Sequence, residues 1–250
     1  MRLPTLKHTI TAAIAALCLT LPLSALADEI KRVMVFGDSN SWGWTPVESI
    51  LPTTRYGVDV RWPSVMATQL GAGYEVINES LSARTAATDD NSLGLGGAGL
   101  NGLEYLPAAI ASNMPLDLVV IMLGTNDTKA YLNKSPLDIS LDVLRLASEV
   151  QKNTGVATSY KPAKVLIISP PALGTIANVD WLKAVFTEAS VQKSKDLAGV
   201  LGPLATAAGL PFFDAGSVAK VEGVDGVHML PEGHLALAAA VADQVRNILK

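Results

Sequence analysis

Cysteine is almost absent from this sequence. The one cysteine among 250 residues is Cys18, and it lies in an apolar stretch near the N-terminus. The rest of the chain therefore has no disulfide, no thiol nucleophile and no cysteine-based zinc site. Histidine is nearly as scarce, at three residues, so any histidine that acts as a general base must be one of very few.

Charged residues are also few, at 17%, whereas hydrophobic residues make up 49%. This balance excludes a disordered chain, and 250 residues are enough for one domain with a full core. The charges that are present are mostly acidic and give a formal net charge of −4. A net acidic chain argues against nucleic acid and against an anionic membrane surface as partners.

The N-terminal segment 1–27 has the pattern of a signal peptide. Basic residues open it, and an apolar run follows over residues 10–23. The small residues Ala25 and Ala27 then occupy the positions that a signal peptidase reads. A membrane anchor is the alternative, but the run is shorter than the roughly 20 residues of a spanning helix. We therefore expect cleavage after Ala27, export to the periplasm or the medium, and a single domain over residues 28–250 without a membrane span.

Five short runs rich in β-branched and aliphatic residues alternate with amphipathic segments. Most runs are apolar without alternation, as in strands that are covered on both faces of a parallel sheet. The segments between them place apolar residues at helical spacing, as Ile139, Val143 and Leu146 do. The pattern predicts an α/β fold, a three-layer α/β/α sandwich around a five-stranded parallel sheet. The predicted strands are 33–37, 74–78, 116–123, 164–169 and 211–215, and the predicted helices are 138–150, 181–208 and 231–249.

Polar residues follow two of the predicted strands at the edge where ligands bind in such sheets. Gly37-Asp38-Ser39 ends the first strand, and a serine there can project its hydroxyl into the crevice. The tripeptide alone favours a helix cap instead. Gly124-Thr125-Asn126-Asp127 ends the third strand, where Asn126 can direct its amide inward or simply form a turn. Each segment by itself is ambiguous.

The candidate base is His228. His234, the other histidine outside the first 27 residues, falls inside a predicted helix, where we expect it to face solvent. His228 lies in a loop three residues after Asp225, so that this carboxylate can bond Nδ1 and leave Nε2 to accept a proton. Asp214, at the end of the fifth predicted strand, is the alternative acid. The motif alone is equally typical of a surface Asp–His pair.

The combination of these segments indicates a serine enzyme. An ester hydrolase needs a nucleophile, a base, an orienting acid and donors for the developing oxyanion. Candidates for all of these roles stand on different loops at one edge of the predicted sheet. The sequence has no Gly-x-Ser-x-Gly motif, so the nucleophile elbow of another large α/β esterase fold is absent. It also has no phosphate-binding loop and no His-Glu-x-x-His motif.

The sequence resembles the SGNH (GDSL-type) hydrolases from about residue 32 to residue 249. Four segments carry the resemblance to the blocks of that family: Gly37-Asp38-Ser39, 78–85, Gly124-Thr125-Asn126-Asp127 and Asp225-Gly226-Val227-His228. Three longer stretches are similar to the bacterial arylesterase and acyltransferase branch: 36–44, 81–85 and 122–131.

This resemblance implies the flavodoxin-like SGNH fold and particular roles for five residues. Ser39 would be the nucleophile, His228 the base and Asp225 its partner, and the backbone N–H groups of Ser39 and Ala83 would bind the oxyanion with the Asn126 side chain. It further implies a serine esterase that acts on small aryl or short alkyl esters through an acyl-enzyme. Acyl transfer to alcohols or peroxide is part of that expectation.

The expected partners are a small ester and a water or alcohol acceptor, without a metal or other cofactor. A sugar O-deacetylase and a lysophospholipase or thioesterase are the alternatives on the same fold. A non-catalytic binding domain is the alternative of a different class. The sequence leaves a homo-oligomer open.

Other positions carry expectations of their own. Ala83 stands where the family usually has glycine, so a positive φ there would be strained. The Gly-rich segment 89–102 is predicted to be a mobile loop near the pocket mouth, and Asp89-Asp90 is predicted to be a solvated turn rather than a metal site. Trp42 and Trp44 either line the acyl or alcohol pocket or fill the top of the core.

Overall fold

The computed structural model describes residues 30–91, 97–154 and 160–250. The predicted signal peptide, and residues 92–96 of the predicted loop, lie outside these ranges. Five parallel strands form one sheet in the order β2-β1-β3-β4-β5. The strands are β1 Lys31–Gly37, β2 Tyr74–Asn78, β3 Leu118–Met122, β4 Lys164–Ser169 and β5 Phe212–Asp214. The helices are α1 Ser39–Trp42, α2 Trp62–Leu70, α3 Gly97–Leu100, α4 Gly102–Asn113, α5 Pro136–Asn153, α6 Asp180–Val185, α7 Glu188–Ala207 and α8 Pro231–Ile248.

Helices cover both faces of the sheet, which explains the unbroken apolar runs. Val33 and Val35 of β1 point into a core that they share with α2 and α8. Met34 and Phe36 point the other way, into a core that they share with α4, α5 and α7. Because successive side chains of a strand face opposite sides, every position of a doubly covered strand is apolar. The predicted three-layer α/β/α sandwich is confirmed.

A third, smaller hydrophobic cluster lies apart from the two faces of the sheet. It consists of five buried side chains: Leu173, Ala177, Leu182, Phe186 and Val227. The cluster joins the segment around α6 to the loop that precedes α8. We call it the α6 cluster.

The predicted helix 181–208 is two helices. α6 ends at Val185, and α7 begins at Glu188 after Thr187 caps it. The Ser190 hydroxyl accepts a hydrogen bond from the Thr187 N–H, at 3.2 Å, which closes a capping box. Apolar spacing continues across the break, so periodicity alone did not reveal it. α6 contributes Leu182 to the α6 cluster and not to the cores on the two faces of the sheet.

The strand order places a crevice beside β1. The chain runs from β1 to β2 on one side and then crosses to β3 on the other, so the loops after β1 and β3 diverge. Ser39 follows β1 directly, and Asn126 lies four residues beyond the end of β3. Of the helices in the described ranges, none is long and apolar enough to cross a membrane.

Candidate active site

Ser39 is the first residue of the short helix α1. Asp38 caps this helix: its Oδ1 accepts a hydrogen bond from the Asn40 N–H at 3.0 Å. The helix ends after one turn because Gly43 adopts a left-handed conformation, with φ 99°. Ser39 nevertheless lines a cavity at the edge of the sheet. The capping interpretation and the crevice interpretation are therefore both right, because Asp38 makes the cap and Ser39 faces the cavity.

Asp225, His228 and Ser39 form a hydrogen-bonded relay. Asp225 Oδ2 lies 2.7 Å from His228 Nδ1, and His228 Nε2 lies 2.9 Å from Ser39 Oγ. All three residues are buried. With the carboxylate bonded to Nδ1–H, the free Nε2 faces the serine hydroxyl and can accept its proton.

Hydrogen bonds inside the loop and close packing against a neighbouring segment both fix the loop that carries His228. Asp225 Oδ1 accepts hydrogen bonds from the N–H groups of Val227 and His228, at 2.8 and 3.0 Å. Gly226 has φ 75°, and a Cβ there would lie 2.2 Å from the Thr175 carbonyl oxygen. The turn between the acid and the histidine therefore requires glycine.

Asn40 positions the histidine loop, a function that the sequence did not reveal. Its Nδ2 donates to the Val227 carbonyl at 3.1 Å, and its Oδ1 accepts from the Met229 N–H at 3.0 Å. The two bonds bracket His228 on both sides. Because Asn40 follows Ser39 directly, it ties the histidine loop to the serine.

The pKa of Asp225 lies below its ordinary value. Burial by itself raises it, but the hydrogen bond from His228, the charge of His228 and the two backbone N–H groups outweigh burial. The carboxylate is therefore ionised at neutral pH, as an acid that orients a histidine must be.

The turn after β2 brings Ala83, and the loop after β3 brings Asn126, to the same cavity as Ser39. Ala83 has φ 67°, so the strained backbone that the sequence implied is present. Asn126 Nδ2 donates to the Arg84 carbonyl at 3.1 Å, which orients the Asn126 amide.

Asp127 also joins the two loops. Both of its carboxylate oxygens accept the Ala86 N–H, at 3.1 and 3.0 Å, and burial raises the pKa of Asp127 to about 7. These bonds lock the loop after β3 to the turn after β2.

Arg84 holds this turn from inside the protein. Its side chain is buried, and its Nη1 donates to the carbonyls of Gly37 and Glu79. The guanidinium carbon lies 4.1 Å from the centre of the Phe36 ring and 5.0 Å from that of Tyr105. The Ser-Ala-Arg-Thr motif contained Arg84, but nothing in the sequence indicated that it links β1 to this turn.

The cavity beside Ser39 measures about 470 Å³ and is lined mainly by apolar side chains. Trp44 lines it and stacks on the His228 ring, with 5.3 Å between ring centres. Trp42 is not among the lining residues, and the Arg55 guanidinium carbon lies 4.8 Å from the centre of its ring. Of the two predicted pocket tryptophans, only Trp44 therefore faces the cavity, because a single helical turn directs Trp42 elsewhere.

A buried ion pair stands in the cavity wall. Lys129 lines the cavity, and its Nζ lies 2.5 Å from Asp90 Oδ2. The Tyr131 hydroxyl donates to the same carboxylate. Asp90 is 1% exposed, so the prediction of a solvated turn at Asp89-Asp90 was wrong for this residue. Its partner comes from 39 residues further along the chain, which no local pattern indicates.

His234 differs from the sequence expectation. His234 is buried, not solvent-facing, with the edge of its ring against Tyr56 at 5.3 Å between ring centres. Burial, with a smaller effect of the His228 charge, lowers the pKa of His234 to about 4.

Asp214, the alternative acid, is not the hydrogen-bond partner of His228. It caps the turn after β5 by accepting a hydrogen bond from the Gly216 N–H at 2.9 Å, whereas Asp225 is the acid at His228. Within the described ranges, no group of acidic or histidine side chains is suited to hold a metal ion.

The chain belongs to the GDSL-like lipase/acylhydrolase family, whose model matches residues 35–236. It is accordingly a carboxylic ester hydrolase. The aryl esterase of M. smegmatis is 49% identical, over 88% of this chain and 100% of that chain, with a TM-score of 0.83. Est24, a carbohydrate acetylesterase from Sinorhizobium meliloti, is 42% identical over 87% of this chain and 99% of that chain, with a TM-score of 0.80. No curated protein sequence matches the chain.

Proposed function

We propose that the chain is a serine esterase in which Ser39 is the nucleophile and His228 the general base. Asp225 holds the histidine in the required tautomer. The observation that carries this proposal is the hydrogen-bonded relay. Asp225 Oδ2 lies 2.7 Å from His228 Nδ1, and His228 Nε2 lies 2.9 Å from Ser39 Oγ. Both distances fall in the range of hydrogen bonds that transfer protons during catalysis.

The reaction proceeds in two halves. His228 Nε2 takes the Ser39 proton while Oγ bonds to the ester carbonyl carbon. Collapse of the tetrahedral intermediate breaks the bond to the alcohol oxygen, which leaves with the proton from His228. Water then attacks the acyl-enzyme with His228 again as the base, and the carboxylic acid departs as serine is restored.

Three donors stabilise the negative oxygen of each intermediate. They are the N–H groups of Ser39 and Ala83 and the Asn126 side chain, all of which belong to residues that line the cavity. The left-handed backbone of Ala83 supports this assignment, because strained backbone persists where surrounding contacts enforce it. Arg84 contributes indirectly, since its carbonyl orients Asn126.

Small aryl or short alkyl esters are the proposed substrates. The cavity is apolar and about 470 Å³ in volume, which suits a compact ester better than a long chain. The name of the M. smegmatis relative, an aryl esterase, supports the aryl class. A sugar O-acetyl ester is the second candidate, because the Sinorhizobium relative is a carbohydrate acetylesterase. Acyl transfer to an alcohol or to peroxide is a further proposal for the same acyl-enzyme.

Covalent labelling tests the nucleophile. We expect a fluorophosphonate probe to add one label to the wild-type protein and none to Ser39→Ala. The exposed Ser217→Ala variant is the matched control and should label fully. A folded wild-type protein that takes no label would refute the serine mechanism, and a labelled Ser39→Ala variant would show that another serine reacts.

Product analysis separates the substrate classes and acceptors. Wild-type kcat/KM is measured for phenyl acetate, for acetylated sugars and for phenyl esters of increasing acyl length. A maximum at long acyl chains contradicts the small-ester proposal, and a preference for sugar acetates favours the second candidate. Adding an alcohol to the phenyl acetate reaction should yield the new acetate ester, and acetic acid alone would refute acyl transfer.

A further inference from the structure

The loop between α1 and α2 folds back on itself and reaches the cavity. Its two ends are clamped together: the Thr45 N–H donates to the Thr54 carbonyl at 3.1 Å, and the Tyr56 N–H donates to the Gly43 carbonyl at 2.7 Å. The tip beyond this clamp carries Ile50, whose side chain lines the cavity.

Ile50 has an unusual backbone for its residue type. Its φ is 63°, in the left-handed region, where a β-branched side chain collides with the neighbouring backbone. The Ile50 N–H donates to the Val47 carbonyl at 2.8 Å, which holds the tip in this conformation. A backbone that costs free energy persists only where its surroundings enforce it, and such residues concentrate at functional sites.

The Ile50 side chain is part of the cavity wall. It packs against the α6 cluster, of which Leu182 and Phe186 also line the cavity. Ile50 therefore connects the loop between α1 and α2 to the α6 cluster, and its side chain occupies space at the cavity wall. A smaller side chain at this position would leave that space open.

The position of Ile50 indicates which part of the substrate it limits. The α6 cluster includes Val227, the residue directly before His228, and Trp44 at the start of the same loop stacks on His228. Through Val227 and Trp44, the part of the wall to which Ile50 belongs adjoins His228. His228 must deliver its proton to the leaving alcohol oxygen, so the alcohol portion of the ester lies beside His228.

We propose that Ile50 determines specificity by limiting the size of the alcohol portion of the ester. This inference rests on the proposed serine mechanism. Replacing isoleucine with alanine removes three carbons from the cavity wall. A pocket that gains room for a methylene discriminates between homologous substrates by about tenfold or more.

The test is a pair of substrate series on graded variants. Wild type, Ile50→Val and Ile50→Ala are assayed with acetates of ethanol, butanol and hexanol, and with ethyl esters of acetic, butyric and hexanoic acid. We expect the ratio of kcat/KM for hexyl acetate to that for ethyl acetate to rise about tenfold or more in Ile50→Ala and less in Ile50→Val. The corresponding ratio in the acyl series should stay within about threefold of wild type.

Two further variants separate this effect from general loosening of the fold. Ile176→Ala removes the same atoms from a residue that packs on the α6 cluster but does not line this cavity, so its ratios should match wild type. Ile50→Gly accepts a positive φ freely and should keep the loop folded while it widens the cavity further. Thermal unfolding of each variant checks that it is folded.

Three outcomes would overturn the inference: unchanged alcohol ratios in folded Ile50→Ala and Ile50→Gly, a change confined to the acyl series, or an equal change in Ile176→Ala. Failure of the serine mechanism is recognised separately, because Ser39→Ala would then still hydrolyse ethyl acetate.

Discussion

Two histidines with opposite environments lie close together in sequence, His228 in the loop before α8 and His234 in α8. His228 bonds an acid on one side and a serine on the other, whereas neither ring nitrogen of His234 has a hydrogen-bond partner among the described residues. Only the first can transfer a proton between the serine and the leaving group. The second is a buried neutral ring.

We therefore expect His228→Ala to lower kcat/KM by at least about 10³-fold, because the serine then has no base. His234→Ala should change kcat/KM by less than about tenfold, because that ring does not touch the relay. Steady-state hydrolysis of phenyl acetate measures both. A larger loss in His234→Ala than in His228→Ala would reverse the assignment.

His234 should make the stability of the protein depend on pH. Its pKa falls from an ordinary value of 6.5 to about 4 in the folded protein, because burial disfavours the charged ring. The unfolded chain takes up the proton first as pH falls, so stability is full above pH 6.5 and is lost as pH falls towards 4. The loss amounts to about 3 kcal/mol at most.

We expect His234→Phe to remove this part of the pH dependence while keeping an aromatic edge against Tyr56. Denaturant unfolding of both proteins at pH 7, 5.5 and 4 measures the difference. The difference in unfolding free energy between pH 7 and pH 4 should be smaller in the variant. Equal differences in the two proteins would mean that His234 does not titrate as described.

At the scale of elements, the Asp90–Lys129 pair joins the segment after the Ala83 turn to the loop after β3. Removal of one charge of a buried pair leaves the other without compensation, which typically costs about 3–5 kcal/mol. We expect Asp90→Asn to lose stability in this range in denaturant unfolding at pH 7. The exposed pair Asp243–Arg246 offers the matched control, and Asp243→Asn should cost less than about 1 kcal/mol. Equal losses would show that burial does not strengthen the Asp90 pair.

The strands and helices were largely predictable from the sequence, because strands that are buried on both faces of a sheet are apolar without alternation. β1, β3 and β4 each contain an unbroken apolar run, and α5 and α8 show helical spacing. The break before α7 was missed because a Thr187 cap changes direction without changing the apolar spacing. Helical spacing could have predicted the burial of His234, because this residue shares the buried face of α8 with Leu237, Ala238 and Val241.

The central residues of the candidate site were predictable from local sequence patterns. Ser39, Asn126 and His228 belong to short motifs with recognisable spacing. The supporting contacts join residues that are far apart in the chain, such as Arg84 to Gly37 and Asn40 to Val227. Local patterns contain no information on such pairs, because they depend on how the loops meet in three dimensions.

For the whole molecule, we propose export after removal of residues 1–27. The apolar run 10–23, followed by small residues at Ala25 and Ala27, supports this proposal. Expression of the full chain in a bacterium should yield exported protein whose N-terminal residue is Asp28 and whose mass is that of residues 28–250. Ala27→Leu should slow or prevent cleavage, because the peptidase requires a small residue there. Exported protein that retains the first 27 residues would contradict the proposal.

The separation of the α6 cluster from the two cores of the sheet has a consequence for how this molecule can diverge. Leu182, Phe186 and Val227 of the cluster line the cavity, but the cluster contributes no side chain to the cores that hold the sheet together. Substitutions in it should therefore change which esters fit while most of the folding free energy is retained. Duplicated copies of such a gene can drift towards new substrates through a few wall positions such as Leu182 and Phe186, while the two cores that hold the sheet stay unchanged.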